Sequence, residues 1–598
     1  MTIKLRLPGA AALAGCAAAA CACASWMGAY FGQAWGSMAG FLSCLLLFVS
    51  ALALRPQKGE AIACGLAGCV FSVMHTLGYS YDAIDSYGLI LSSAKTLATA
   101  ALCVIALAFV AACVCFLIVR LLDHLRASCA REGNADEGER KRLFWTSIVL
   151  IFLGSVPYLM LYAPGLNIFD THDQLLQFFG YPSYIGDGSA LSDHHPVFLT
   201  VVYAAFMKLG LMLGDANIGQ LVYSLVSMAA LAAAWAYALC LLYDLGLKKK
   251  ACLAIAVFVA AYPVTALYAF NMCKDVSAAP FVLLFVCQML RLRASEGVVM
   301  KDGRFVLGVF VNSFMLMLTR KPSMYALAFA AVFLIIRYRG VRVRLAAALL
   351  GAVLLFHVGY SSLLLPALGV IPGETREMLS IPFQMTARYL NTYPEDVTDE
   401  ELTSVARVLD LSAIENYDPR LSDPIKDTSN PELGNGNLAA YMKAFVSMGM
   451  RHPGVYLDAW LNMIYGYFYP SHSNTIVCLT LNSPDQGGMT LRQSEKLDTL
   501  RLEFFEVIYY TLRRLPGVGM LFYVNTISWA FLLLLCYFVL RGGVKEIASW
   551  MFFFGTLGIC LLSPKSGEIR YLMPIFYALP IMLGAAILPG KQKGDVKA

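Results

Sequence analysis

Charged side chains are scarce in this chain, and their scarcity excludes most classes of soluble protein. Only 14% of the 598 residues are Asp, Glu, Lys or Arg, whereas 59% are hydrophobic and the mean hydropathy is +0.65. A soluble domain carries roughly 25% charged residues, so this composition predicts an integral membrane protein. The basic residues form short clusters between apolar runs, which is typical of cytoplasmic loops and argues against a nucleic-acid partner.

The sequence also lacks a disulfide or metal-binding framework. Most of its 17 cysteines lie inside apolar runs without metal-ligand spacing, where cysteine acts as a small hydrophobic residue. No fixed-period repeat is present, although an inverted-repeat transporter should show two paired halves. These absences leave few groups that could carry chemistry, and most of them are carboxylates, imidazoles and basic side chains at the ends of apolar runs.

The N-terminal run can be read in two ways. The stretch from Leu13 to Cys16 resembles a lipoprotein processing box, and the stretch from Ala22 to Ala24 resembles a signal-peptidase site. We favour an uncleaved first transmembrane helix, because further apolar runs of spanning length follow directly.

Apolar runs of about 17–25 residues predict about fourteen transmembrane helices in an all-α bundle. The N-terminal region comprises residues 1–142, with four helices and a charged cytoplasmic loop. Residues 143–366 form a membrane core whose first outer loop is 164–196, and residues 367–516 form a small, mostly helical extracytoplasmic domain. Residues 517–598 supply three final helices. The basic clusters predict cytoplasmic termini in a bacterial plasma membrane, provided that 197–213 is a half-inserted helix, because a full span there would invert every later loop.

A polar loop between two apolar runs, from Asn167 to Pro196, is the strongest candidate for a functional site. Asp170 and Asp173 are three residues apart and share a helical face, with Leu175 and Leu176 on the opposite face. Such a short amphipathic helix should lie at the membrane interface and direct its carboxylates into a cleft. Ionisable groups at a membrane boundary are costly unless they function, and a carboxylate can act as a general base.

Two histidines end this loop, and a lysine–aspartate pair follows in a later outer turn. His194 and His195 precede Pro196, and either can contact a phosphate or start the next helix. A metal site formed by Asp170, Asp173 and His195 is an open alternative, but no His-x3-His spacing supports it. In the later turn, Lys274 can contact a phosphate while Asp275 caps the following helix.

Two further outer turns are cationic, against the rule that basic residues stay inside. Arg320 and Lys321 interrupt one apolar run, and Lys565 and Arg570 precede the last helix. A phosphate ligand would explain this exception, because a guanidinium binds phosphate oxygens through two parallel hydrogen bonds.

The order of these motifs resembles the GT-C superfamily of membrane glycosyltransferases. FDTHDQ, SDHHP, KD, TRKP, SIPFQMTARY and RYLMP are more closely similar to a group of bacterial multi-pass proteins near that superfamily, over roughly 143–590. The resemblance implies a GT-C-like fold, a polyprenyl-phosphate sugar donor, inversion at the anomeric carbon and Asp170 as the base, with Asp173 second. It maps the donor-phosphate contacts onto Lys274, Arg320 and Arg570. The family more often has two adjacent acids, so the choice of base and the use of a divalent cation stay open.

The leading hypothesis is therefore transfer of a sugar from a lipid-phosphate carrier to a cell-envelope acceptor. A transporter or flippase for lipid-linked saccharides is a second hypothesis, although ionisable residues at mid-membrane are scarce. A non-catalytic envelope assembly protein that binds glycans through 367–516 is a third.

Overall fold

The computed structural model describes residues 8–131, 133–429, 436–471 and 476–589. This part of the chain is mostly helical and contains one pair of two-residue strands, which confirms the predicted all-α class. Lys4, Arg6 and the 591–598 tail, on which the predicted cytoplasmic termini depend, lie outside the described residues, as do residues 430–435 of the predicted domain at 367–516.

The N-terminal region is fixed to the C-terminal helices by a buried carboxylate. It contains α1 (Ala10–Phe31), α2 (Met38–Leu54), α3 (Lys58–Ile84), α4 (Gly88–Leu91) and α5 (Ala94–Cys129). Glu60 is 3% exposed, and its two oxygens lie 2.7 Å from Arg120 Nη2 and 2.8 Å from Arg541 Nη2. Breaking a buried ion pair leaves an uncompensated charge, so these contacts hold α3 to α5 and to the helix that carries Arg541.

The central region contains the two strands and most of the buried core. Its helices are α6 (Glu137–Leu161), α7 (Phe169–Phe178), α8 (Val197–Met212), α9 (Ala216–Asp244), α10 (Lys249–Ala261), α11 (Pro263–Tyr268), α12 (Lys274–Ser277), α13 (Ala279–Ala294), α14 (Gly303–Thr319), α15 (Ser323–Arg337), α16 (Arg342–Leu354) and α17 (Leu365–Ala367). Strand β1 is Leu166–Asn167 and strand β2 is Asn271–Met272. The apolar run at 251–270, which is long enough to predict one span, is divided into two helices, because Pro263 has no N–H to continue α10 and begins α11 instead.

A group of short helices with its own hydrophobic core follows. It contains α18 (Ser380–Thr392), α19 (Asp399–Ala406), α20 (Asp423–Lys426), α21 (Asn437–Arg451) and α22 (Pro453–Ile464). Phe383, Tyr389 and Tyr441 are fully buried in this core. The Thr398 side chain accepts a hydrogen bond from the Glu401 N–H, and the Glu401 side chain accepts one from the Thr398 N–H, which caps the start of α19.

Four helices complete the described chain, and several pass through the centre of the structure. They are α23 (Asp498–Glu506), α24 (Val524–Gly542), α25 (Met551–Cys560) and α26 (Ile569–Ala586). Within the described residues, nine helices are long and apolar enough to cross a membrane, and four other apolar helices are shorter. The structure thus contains many apolar helices, as predicted. The lengths of these helices do not show the predicted number of about fourteen spans.

Candidate functional site

A two-residue strand pair brings the predicted acidic loop against the predicted Lys274 turn. Strands β1 and β2 are parallel, with Leu166 opposite Asn271 and Asn167 opposite Met272. Because α7 follows β1 and α12 follows β2, the two helices begin side by side. The Thr171 hydroxyl donates to the Met272 carbonyl at 2.5 Å and fixes this arrangement.

Glycine is required immediately before β1. Gly165 has φ +150°, and a Cβ built there would lie 2.2 Å from Ser224 Oγ and 2.8 Å from Gln220 Nε2. Both of these side chains hold the loop: Ser224 Oγ donates to the Pro164 carbonyl and Gln220 Nε2 to the Leu166 carbonyl, at 3.0 and 3.2 Å. The close approach of the backbone to α9 therefore sets the position of α7.

Asp170 is the centre of the site. Its Oδ2 lies 2.7 Å from Lys274 Nζ, 3.3 Å from Arg570 Nη1 and 3.9 Å from His195 Nδ1. The Asp170 side chain is 20% exposed, so it lies in a recess that solvent still reaches. Three chain segments far apart in the sequence thus meet at one carboxylate: the loop that holds both Asp170 and His195, the Lys274 turn and the Arg570 turn. All four residues were among the predicted site residues.

Glu568 extends this cluster and was missed by the sequence analysis. It is 4% exposed, accepts from Lys565 Nζ at 2.9 Å and lies 3.9 Å from Arg570 Nε. Its side chain also caps α26 by accepting from the Arg570 N–H. An acid two residues before a helix-starting arginine is a signal that the sequence offered. Lys274, Arg570 and Lys565 face Asp170 and Glu568, so among the described residues of this cluster three cations meet two carboxylates, which leaves one positive charge.

The protonation states of the loop follow from these neighbours. Burial alone would raise the pKa of Asp170, but the charges of Lys274 and Arg570 outweigh it and hold that pKa well below its usual range. Burial lowers the pKa of His195 well below its usual value and lowers the pKa of His194 to about 4. Near neutral pH both imidazoles are therefore uncharged, and Asp170 is ionised.

Asp275 and Arg320 form a buried ion pair beside this cluster. Arg320 Nε donates to Asp275 Oδ1 at 2.8 Å, and the side chains are 3% and 6% exposed. Arg320 Nη2 also donates to the Tyr571 carbonyl at 3.1 Å, which connects the end of α14 to the start of α26. The expectation that Asp275 caps the following helix is wrong, because the residues that precede α12 and α13 are Cys273 and Ala278 and neither helix has a side-chain cap.

Most of helix α7 is enclosed by the protein. Its residues Thr171, Asp173, Gln174, Leu175, Leu176 and Gln177 are all buried. The predicted polar face is used internally: Gln174 Nε2 donates to Thr200 Oγ1 at 2.9 Å, and Gln177 Oε1 accepts from the Ser192 N–H at 3.0 Å. The short apolar stretch around Met489 and Leu491 covers the other side, and this long-range contact cannot be read from the helix periodicity.

Asp173 does not join Asp170 in the open recess. It is 1% exposed, and its Oδ1 lies 3.6 Å from His172 Nδ1, without a hydrogen-bond partner among the described residues. Lys321 is likewise paired away from Asp170, with its Nζ 2.9 Å from Asp193 Oδ1.

His194 lies near two glutamates, which makes a group of three potential metal ligands. Ligand atoms of His194, Glu374 and Glu377 lie within 4.8 Å of one another in the described part of the chain. Each carboxylate already faces a cation, since Glu374 pairs with Arg376 and Glu377 Oε1 lies 3.0 Å from Lys426 Nζ. Asp170 is similarly surrounded by Lys274 and Arg570. A divalent cation would need the positions next to these carboxylates, and ammonium and guanidinium groups occupy them.

These features define a helical protein with membrane-spanning segments and a cation-rich recess at the ends of several helices. The chain belongs to a family of unknown function, DUF6020, whose family model matches residues 185–596. The matched range contains His195, Lys274, Arg320 and Arg570 and begins after Asp170. No curated protein and no solved structure shows significant similarity to the chain.

Proposed function

We propose that this protein is a membrane glycosyltransferase that transfers a sugar from a polyprenyl-phosphate donor to a cell-envelope acceptor. The observation that carries this proposal is the recess around Asp170, where Lys274, Arg570 and neutral His195 surround a partly exposed carboxylate. A base and two phosphate-binding cations in one recess are the groups that such a transfer needs.

The donor phosphate fits the charge of the recess. The three cations and two carboxylates leave one positive charge, which matches the single negative charge of a sugar phosphodiester. Lys274 begins α12, and Arg570 lies in the first turn of α26. A phosphate held at these helix ends leaves its isoprenoid chain free to extend along the apolar surfaces of α14, α15 and α26.

The reaction follows from the positions of these groups. An acceptor hydroxyl attacks the anomeric carbon, and the bond between that carbon and the phosphate oxygen breaks with inversion. Asp170 takes the hydroxyl proton, and polyprenyl phosphate leaves with its added charge stabilised by Lys274 and Arg570. In the ligand-free protein these cations lower the basicity of Asp170, so engaging them with the phosphate raises its pKa and prepares it to accept the proton.

We place the Asp170 end of the bundle on the extracytoplasmic side of a bacterial plasma membrane. The opposite ends of α13 and α14 meet further basic segments: Arg337 Nη2 lies 2.6 Å from Glu296 Oε2, and Arg344 Nη1 donates to the Met300 carbonyl at 2.9 Å. Basic clusters remain in the cytoplasm, so this orientation makes the helical group at 367–516 extracytoplasmic and favours about fourteen spans.

The test gives purified protein in liposomes a panel of labelled polyprenyl-phosphate sugars and a hydroxyl acceptor. We expect polyprenyl phosphate to be released from one of these donors. Replacing Lys274 by Gln should lower this rate about 100-fold, because one charge-stabilising donor is lost. Lys250→Gln is the matched control, since Lys250 is exposed in the first turn of α10, away from the recess. Passage of intact donor across the bilayer without release would contradict the proposal and identify a flippase.

The acceptor is expected to bind over two exposed aromatic rings beside Asp170. Phe169 is 53% exposed and stacks on His172 at 5.5 Å, and Tyr184 is 47% exposed with its ring centroid 6.1 Å from that of Phe169. Exposed aromatic groups next to a polar recess are typical of ligand sites. Phe169→Ala should raise the KM for the acceptor about tenfold, or ~1.4 kcal/mol, with little change in the KM for the donor.

The control for this prediction is Phe109→Ala, because Phe109 is 49% exposed on α5, in the N-terminal region. Phe169→Tyr should retain the wild-type acceptor KM. An unchanged acceptor KM in Phe169→Ala, or a change confined to the donor, would exclude this placement of the acceptor.

A further inference from the structure

A second cavity lies at the opposite end of the bundle from Asp170. It is an open cavity with a volume of about 500 Å³, lined by α9, α13 and α14. This volume falls within the range of roughly 300–1,000 Å³ that is usual for small-molecule sites. Helix α13 begins just after Lys274 and ends at Ala294, so the cavity near Arg291 is remote from the recess proposed for sugar transfer.

The cavity has a basic end and a less polar end. Arg291 and Arg304 line the end where α13 ends and α14 begins, which we call its mouth, and Phe281 and Met315 line the inner part. The amide side chains of Gln288 and Asn312 also line the cavity, between these two ends. Neither arginine forms an ion pair with a carboxylate among the described residues. Asp302 also lines the mouth, but its carboxylate caps α14 by accepting from the Arg304 N–H at 2.9 Å.

The apolar part of the cavity is continuous with the outer surface of α14. Leu307 is 61% exposed and Val311 is 48% exposed, and Val311 also lines the cavity. In a membrane these side chains contact acyl chains, so the cavity opens towards lipid. A ligand that enters it therefore combines an apolar chain with an anionic group at the membrane surface.

We propose that this cavity binds an anionic glycerophospholipid, with its phosphate between Arg291 and Arg304 and one acyl chain between α13 and α14. The guanidinium pair supplies charge and hydrogen bonds to the phosphate, and the apolar inner wall accepts the chain. The two guanidinium groups come from α13 and α14, so the lipid joins two helices whose other ends adjoin α12, which begins at Lys274, and Arg320.

The contacts between these helices show where the lipid acts. Gln288 Nε2 donates to the Gly308 carbonyl at 2.9 Å, and Asn312 Nδ2 donates to the Phe281 carbonyl at 3.1 Å. Towards the mouth, Arg291 and Arg304 line the same cavity, one from each helix. A phosphate bound by both arginines stabilises the α13–α14 pair independently of any sugar transfer.

The test uses the full-length protein in neutral detergent with added phosphatidylglycerol or phosphatidylcholine, followed by thermal unfolding and native mass spectrometry. We expect phosphatidylglycerol to bind and raise the Tm, and phosphatidylcholine to bind at least tenfold more weakly. The double variant Arg291→Gln/Arg304→Gln should lose at least tenfold in phosphatidylglycerol affinity. The matched control is Arg339→Gln/Arg342→Gln, which removes two exposed arginines between α15 and the start of α16.

A second variant tests the apolar part of the cavity without removing charge. A Cβ at Gly308 would meet only Gln288 Nε2, at 4.0 Å, so Gly308→Leu fills the cavity without a backbone clash. It should abolish the Tm increase by phosphatidylglycerol while the lipid-free Tm stays near wild type. The proposal would be overturned if the control pair lost as much phosphatidylglycerol affinity as the double variant, or if Gly308→Leu still bound this lipid. It would also be overturned if inorganic phosphate had an equal effect, or if polyprenyl phosphate bound more strongly in an arginine-dependent way.

Discussion

Replacing Asp170 by Asn is expected to lower the kcat of sugar transfer at least 1,000-fold while strengthening the binding of polyprenyl phosphate. A positioned general base contributes roughly 10²–10⁴-fold to rate, and an amide cannot take the acceptor proton. The same change frees Lys274 and Arg570, which lie 2.7 and 3.3 Å from the Asp170 carboxylate, to contact phosphate oxygens. Release of lipid phosphate measures the first effect, and the Tm increase by added polyprenyl phosphate measures the second.

The opposite signs of these two effects separate catalysis from a structural role. Asp187→Asn is the matched control, because Asp187 is an exposed acid of the same loop and accepts a hydrogen bond from the Ser189 N–H. If Asp170 only held the fold together, its replacement would weaken ligand binding and lower the Tm together. A rate near wild type, or loss of phosphate binding, would contradict the proposed role of Asp170.

The pH dependence of the wild-type protein provides an independent check. The folded-state pKa of Asp170 is depressed, so its basic form is lost only as the pH falls through that low value. The pKa of His195 is also lowered by burial, so it does not gain a proton between pH 8 and 6. The kcat/KM should therefore stay nearly constant from pH 8 to pH 6.

The sequence was sufficient to identify the helical class and the residues around Asp170, because both depend on local signals. Apolar runs predict helices, and charges that interrupt such runs mark functional positions. The approach of Lys274, His195 and Arg570 to Asp170 depends on a two-residue strand pair and a close glycine contact. Contacts this short carry no periodic pattern, so the sequence could propose the members of the site but not their distances.

The sequence also could not predict which charged side chains pair with each other. Asp275 was expected to cap a helix and Arg320 to face a ligand, yet the two pair with each other. Asp173 shares a short helix with Asp170, but it is buried because segments distant in sequence cover α7. Burial decides which of several nearby charges meet, and it is a property of the whole fold.

Breaking the Asp275–Arg320 pair is expected to produce the largest loss of stability among single substitutions near the site. The side chains are 6% and 3% exposed, and removal of one partner from a buried pair destabilises a protein by about 3–5 kcal/mol. Asp275→Asn and Arg320→Met should each lower the free energy of unfolding by this amount. Unfolding by denaturant in detergent, followed by tryptophan fluorescence, measures the change.

The double variant Asp275→Leu/Arg320→Met distinguishes a buried ion pair from a phosphate contact. Replacing both partners by apolar groups leaves no buried charge, so the double variant should be far more stable than the sum of the single changes predicts. Because Arg320 donates to Asp275 and to the Tyr571 carbonyl, we expect it to position α12 and α26 without touching the donor. The folded double variant should then keep its KM for the donor within about threefold, whereas a tenfold or larger rise would show that Arg320 binds the phosphate itself.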